Sequence, residues 1–150
     1  MVAKPARVVL DPKMLPLIEE ALAHGLQALG EEIAHDAAGR IRRGTAPDHM
    51  ADQWGVATWC NGKRVGNASA DGSATELTLR EGAASNPVGY VGFGGYYSQG
   101  SPRGWFSPRY VEFGTSDTPA MPFLTPAAAS ASSKAASIVA AAAKPYLDKP

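Results

Sequence analysis

Residues 54–68 read WGVATWCNGKRVGNA, and this stretch decides the fold class. WGVATWC is rich in β-branched and aromatic residues, Asn61-Gly62 follows it directly, and KRVGNA then resumes an extended pattern. Asn-Gly supplies the two positive φ angles of a tight hairpin turn, so Lys63 to Ala68 is expected to return antiparallel to Trp54–Cys60. Further short β-like runs follow at Glu76 to Arg80, Val88 to Phe93 and Tyr110 to Thr115, separated by Gly, Asn, Asp and Pro. No helical pattern lies between them, so βαβ units are unsupported and an antiparallel sheet over about residues 54–115 is the expectation. In the last run Tyr110, Glu112 and Gly114 would share one face, with Val111, Phe113 and Thr115 on the other.

Upstream, the pattern has helical period. Leu15, Ile18, Leu22, Leu26, Leu29, Ile33, Ala37 and Ile41 step by three or four from about residue 14 to 43. At 100° per residue they fall within about 140° of arc, which predicts one amphipathic helix burying that stripe. Asp11-Pro12 marks its approach, and Pro16 places the regular start near Met14 or Leu15. Gly44 is the expected C-terminal cap. Arg40, Arg42 and Arg43 then sit in the last turn, where cations meet the negative end of the helix dipole, so this basic cluster is read first as helix chemistry. Downstream, the prolines of SDTPAMPFLTP enforce an extended path. Thr125-Pro126 is the expected start of an Ala-rich helix, about residues 126–144, which Pro145 should stop. Its alanines permit close approach to a neighbour, either the first helix or another subunit. The fold class is therefore α+β: a long N-terminal helix on an antiparallel sheet, with a C-terminal Ala-rich helix and an extended Gly/Pro-rich loop, in a single domain over residues 1–150.

Composition narrows the function. The chain has 150 residues, with 14 Lys+Arg against 14 Asp+Glu. A neutral balance gives no electrostatic reason to hold phosphate backbones, so sequence-specific nucleic-acid binding is not expected. The single cysteine excludes an internal disulfide, and no His/Cys spacing suits zinc. No apolar run is long enough for a signal peptide or a membrane span, and a cytoplasmic setting is expected. The 16 glycines and 12 prolines make up roughly 19% of the chain where about 12% is usual. Thirteen of them lie between Gly82 and Pro122, so that region should be loop-rich.

Catalytic chemistry is hard to find. His24 and His35 lie opposite the Leu/Ile stripe and should face solvent; neither they nor His49 belong to an HExxH, and no GxSxG or Cys-His arrangement is present. Cys60 ends an apolar strand with no helix N-terminus to activate it, and reads as a buried, inert thiol. Trp54, Trp59 and Trp105 are read as strand packing rather than a ligand cage. GYVGFGG, residues 89–95, superficially resembles a phosphate-binding loop. Such a loop needs a helix after it, and YYSQGSPRGWFSP makes one improbable on its Gly and Pro content. No catalytic residue, cofactor or metal site is therefore assigned. A nucleotide- or ligand-binding enzyme using Gly89 to Gly95 is kept as the alternative from another class, and it requires that helix.

A more specific signal is RYVEFGTSDTPAMPFLTPA, residues 109–127. It resembles the signature of the phage tail-component family typified by gene product ten of the HK lambdoid phages. There, a Tyr-x-Glu-Phe-Gly-Thr pattern is followed by a short loop, a Pro-Phe-x-x-Pro-Ala element and the C-terminal helix. The resemblance implies a structural virion protein of the neck or upper tail of a long-tailed phage, made in the host cytoplasm. It implies a tail-completion subunit in a ring, with six copies as the leading count, around a channel through which DNA passes. Tail terminator and head-closing stopper are alternatives within the class. The implied partners are further copies of the chain and neighbouring neck and tail proteins such as a terminator, stopper or adaptor, with no membrane. Candidate interface residues are Tyr96, Tyr97, Trp105, Phe106, Tyr110, Glu112 and Phe123, because aromatics give large contact area at low entropy cost. Glu112 is expected to meet a basic group of a neighbouring subunit, and Phe123 with Leu124 to anchor the proline loop on the sheet. Gly94 to Pro108, with four glycines and two prolines, is expected to lack regular structure until a neighbour orders it.

Overall fold

The computed structural model describes residues 11–41, 50–70, 87–93, 96–97, 105–106, 108–117 and 119–148, with backbone alone at residues 50, 96–97, 105–106, 108 and 110. Its first element, α1 (Leu15–Arg40), begins at the expected place, with Met14 as N-cap and Pro16 in the first turn, where a missing N–H costs nothing. Strands β1 (Trp54–Cys60) and β2 (Lys63–Ser69) form the hairpin, turned by Asn61 at φ 53° and Gly62 at φ 75°. β3 (Val88–Phe93) pairs on the other side of β1, so the sheet order is β2-β1-β3, antiparallel throughout. A register shift between Thr58 and Trp59 marks a bulge in the β1/β2 ladder. The central strand β1 is buried at all seven residues, as a strand covered on both faces must be.

α1 lies across the sheet, and its phase differs from the one the Leu/Ile stripe predicts. The residues it buries are small: Ala23, Gln27, Gly30, Ala34, Ala37 and Ala38 among them. Leu22 is 42% exposed and Leu15 is half exposed, while Leu26, Leu29 and Ile33 are only partly buried. At 100° per residue the buried positions thus fall to both sides of the stripe, Ala23, Gln27, Gly30, Ala34 and Ala38 about 100° to one side and Ala21 and Gly25 about 100° to the other. The reason is close packing on two flanks. A Cβ on Gly30 would stand 2.5 Å from Val56 Cγ1 of the sheet, and one on Gly25 would stand 2.6 Å from Val139 Cγ1 of a C-terminal helix. Large side chains do not fit at such distances, so they are displaced to the gap between the flanks.

The C-terminal region is two helices, α3 (Leu124–Ser132) and α4 (Ala135–Leu147), rather than one over 126–144. The break falls at Ser133-Lys134, where neighbouring serine hydroxyls donate to backbone carbonyls, Ser132 to Ala129 and Ser133 to Ser130. Helix α3 starts before Thr125-Pro126, which leaves Pro126 still inside the first turn. Nor does Pro145 stop α4; it sits in the last turn, where only one helical bond is forfeited. α4 docks on α1, resolving which neighbour its alanines approach. His24 is correspondingly not a free surface residue: its ring stacks on Tyr146 at 3.7 Å. Lys134 Nζ pairs with Glu32 at 2.8 Å, which raises the lysine pKa.

Two further corrections concern the middle of the chain. Tyr110 to Thr115 is not a strand; residues Pro108–Phe113 form a short helix, α2. The Gly94 to Pro108 stretch does contain regular structure, since Tyr96–Tyr97 (β4) pairs antiparallel with Trp105–Phe106 (β5). Arg42, Arg43, Gly44, His49 and the expected strand at Glu76 to Arg80 lie outside the described residues. However, α1, expected to run to about residue 43 and a Gly44 cap, ends at Arg40, with Ile41 already extended as its C-cap and Arg40 alone of the three arginines in the last turn.

Candidate functional site

The segment that carries the family resemblance folds into one corner, α2 to the start of α3. Pro108 opens α2, and Gly114, at φ 74°, closes it in the left-handed conformation favoured just after a helix. The described residues that follow form no helix or strand before α3, and the Met121 amide donates to the Val111 carbonyl at 2.8 Å, folding the loop back on α2. Phe123 arrives 2% exposed, edge-on to Phe93 of β3 at 5.1 Å between centroids. With Val111, Ala127 and the Ala34, Ala37, Ala38 and Ile41 end of α1, it completes the main core. The anchoring expected of Phe123 is thus an intramolecular one.

Glu112 is the polar centre of this corner and is only 7% exposed. Its Oε2 accepts from the amides of Phe123 at 2.8 Å and Leu124 at 2.9 Å; its Oε1 accepts from the Thr125 amide at 2.8 Å and from the Thr125 hydroxyl. These are the orphan donors of the first turn of α3, at the positive end of its dipole. A carboxylate has about four acceptor sites, and four donors occupy them. Burial pushes this carboxyl upward, but the Thr125 hydroxyl and the three amides together outweigh that, holding its pKa at about 2. The expectation that Glu112 reaches a basic group on a neighbour is therefore corrected: its acceptors are used within the chain.

Beside the corner lies a recess of about 190 Å³ lined by Phe93, Arg109, Glu112, Phe113, Phe123, Leu124 and Thr125. Its lining is mostly apolar, with Arg109 exposed and Phe113 73% exposed.

The remaining candidates sort simply. Trp54 is buried against the ring of His35, and Trp59 against Tyr90, with the Arg64 guanidinium 4.9 Å over the Trp59 ring; both tryptophans are sheet packing. Cys60 is buried, and desolvation with the charges of Glu19 and Glu20 raises its thiol pKa, the opposite of activation. A second buried polar group, Gln27, accepts from the Thr58 hydroxyl at 2.9 Å and donates to Glu31 at 2.9 Å, tying α1 to the sheet. Among the described residues no cluster of three or more His, Cys, Asp or Glu could hold a metal ion. Gly89 to Phe93 lies within β3, and the next described element is strand β4 rather than the helix a phosphate loop requires. The side chains of Tyr96, Tyr97, Trp105, Phe106 and Tyr110, and residues 94–95, lie outside the described residues.

What sequence reasoning missed was the role of Glu112, and a signal for it existed. Pro108 and Gly114 bracket PRYVEFG as proline and glycine bracket a helix, and a helix places Glu112 on a different face from the one a strand would give it. Comparison of the chain with protein-family models, with curated proteins and with solved structures finds no match.

Proposed function

We propose that this chain is a structural subunit of the neck or upper tail of a long-tailed phage, working by protein–protein contact in a ring through which DNA passes. The observation that supports this reading is the α2–α3 corner. Several residues in the stretch resembling the tail-component signature have a physical task there: Glu112 caps α3, Gly114 closes α2 and Phe123 fills the core. Residues spent in this way on packing and capping suit a scaffold better than a reacting centre. The reading leaves tail completion ahead of terminator or stopper, on the resemblance alone. Its partners are then other copies of the chain and the neighbouring neck and tail proteins, and its site of action is the virion.

Disrupting the gene in the genome that encodes it tests the reading. Electron micrographs should then show filled heads and tails that fail to join, with complementation by the intact gene restoring whole particles. Normal particles in normal yield would overturn it.

A further inference from the structure

The large apolar side chains that the described structure leaves exposed fall at two ends of the molecule. One end is built from the start of α1 and the end of α4. Met14, Leu15, Leu17 and Leu22 are each 42–50% exposed, and Leu147 is 53% exposed. The stack of Tyr146 on His24 brings Leu147 to this half of α1. The other end is the α2–α3 corner, where Phe113 is 73% and Met121 47% exposed beside the recess. That corner packs on Ala34, Ala37 and Ala38, which a rise of 1.5 Å per residue places about 25 Å along α1 from the first end.

The two ends are unlike and complementary. The corner is concave and mostly apolar; Arg109, exposed, is the cation in its lining, and the one carboxylate there, Glu112, is buried and taken up by the amides of α3. A cavity of about 150 Å³ accepts a benzene ring, so a recess of about 190 Å³ has room for one branched aliphatic side chain. The opposite end presents such a side chain, Leu147, followed at once by an exposed carboxylate, Asp148. An apolar knob beside an anion matches an apolar hole beside a cation.

We propose that copies of this chain join head to tail, with the Leu147-Asp148 end of α4 in one copy seated in the Arg109-Phe113 recess of the next. The occupant of the recess is thus a second copy, selected by shape and charge together. A contact between two different patches is heterologous, and repetition of it closes into a ring when the rotation per copy allows. The proposal deepens the assembly reading and rests on it for that closure.

Sedimentation velocity of the full chain over a concentration series tests it. The wild type should form larger species as concentration rises. Leu147→Asp and Phe113→Ser change exposed positions and should keep the wild-type circular dichroism. Each should raise the concentration needed for association at least about tenfold, as loss of a central anchor does. An equimolar mixture of the two variants should give a dimer that does not grow, because one intact knob still finds one intact recess. Arg109→Asp and Asp148→Arg provide a second pair: each alone should weaken association, and the doubly exchanged chain should recover it. A wild type that stays monomeric, variants that associate normally, or mixed variants that stay monomeric would each overturn the head-to-tail contact. The neck assignment fails separately. Association through these ends in a protein absent from particles would sink that assignment alone, while Phe113→Ser protein that builds normal particles would sink the contact alone.

Discussion

Glu112 shows how a single side chain can hold a corner of the fold. Removing it as Glu112→Ala strips the partners from three amides and a hydroxyl at the start of α3, the Phe123 amide being buried. Leaving such donors unsatisfied costs about 1–3 kcal/mol for a buried group, so a loss of roughly 2–4 kcal/mol is expected, with Glu112→Gln losing less. The pH dependence has a definite sign. The folded-state pKa of about 2 lies below the ordinary 4.5, so the stabilisation is complete above about pH 4.5 and disappears as pH falls towards 2. At 1.36 kcal/mol per unit that is on the order of 3 kcal/mol. Urea titrations at pH 7, 4 and 2.5 should show wild-type stability falling more steeply than that of Glu112→Gln. Parallel pH profiles for the two proteins would remove the carboxylate from this role.

Helix α1 shows which features of an element are written locally and which are not. The stripe reading makes Leu22 a core residue, yet Leu22 is 42% exposed, so Leu22→Ala should cost less than about 1 kcal/mol. Gly25→Ala should cost more, although alanine is ordinarily about 1 kcal/mol better than glycine inside a helix. Its Cβ would meet Val139 Cγ1 at 2.6 Å and the Val139 carbonyl oxygen at 2.9 Å, so the α4 backbone must move, and overpacking of this kind costs about 1–3 kcal/mol. Thermal melts of the two variants decide the order, and a reversed ranking would show that α4 is not seated on α1 as described. The start of α1, the Asn61-Gly62 hairpin and strands β1 and β3 were legible because their signals are local: a proline in a first turn, two positive φ angles, β-branched and aromatic runs. The face that α1 buries was not. It is lined by glycine and alanine, which register weakly against leucine in a periodicity argument, and only the two flanking layers explain why small residues belong there. The capping role of Glu112 was hidden for a related reason, since its partners lie 11–13 residues away and are backbone groups that carry no residue identity.

Across the whole molecule the layers differ in how firmly they are held. β1 is buried along its length, paired on both edges, and joined to α1 through Val56, Thr58 and Gln27. α4 has Ala143 as its single buried residue among those described; a stacked ring and the exposed Lys134–Glu32 pair add to its seat on α1. An exposed pair of that kind contributes about 0–1 kcal/mol, and Pro145 deprives the last turn of a hydrogen bond. α4 thus meets α1 through small and partly buried side chains, and its opening should occur below the free energy of global unfolding. Native-state hydrogen exchange on dilute protein should find β1 and the middle of α1 exchanging only by global unfolding, with α4 exchanging through a smaller, separate opening. Head-to-tail contact adds a second expectation, because the end of α4 then gains a seat in the next copy. Raising the protein concentration into the associating range should slow exchange in the last turns of α4 and around α2 together, and leave β1 unchanged. Slowing at one of these two ends without the other would mean that the two surfaces do not meet, whatever the size of the assembly.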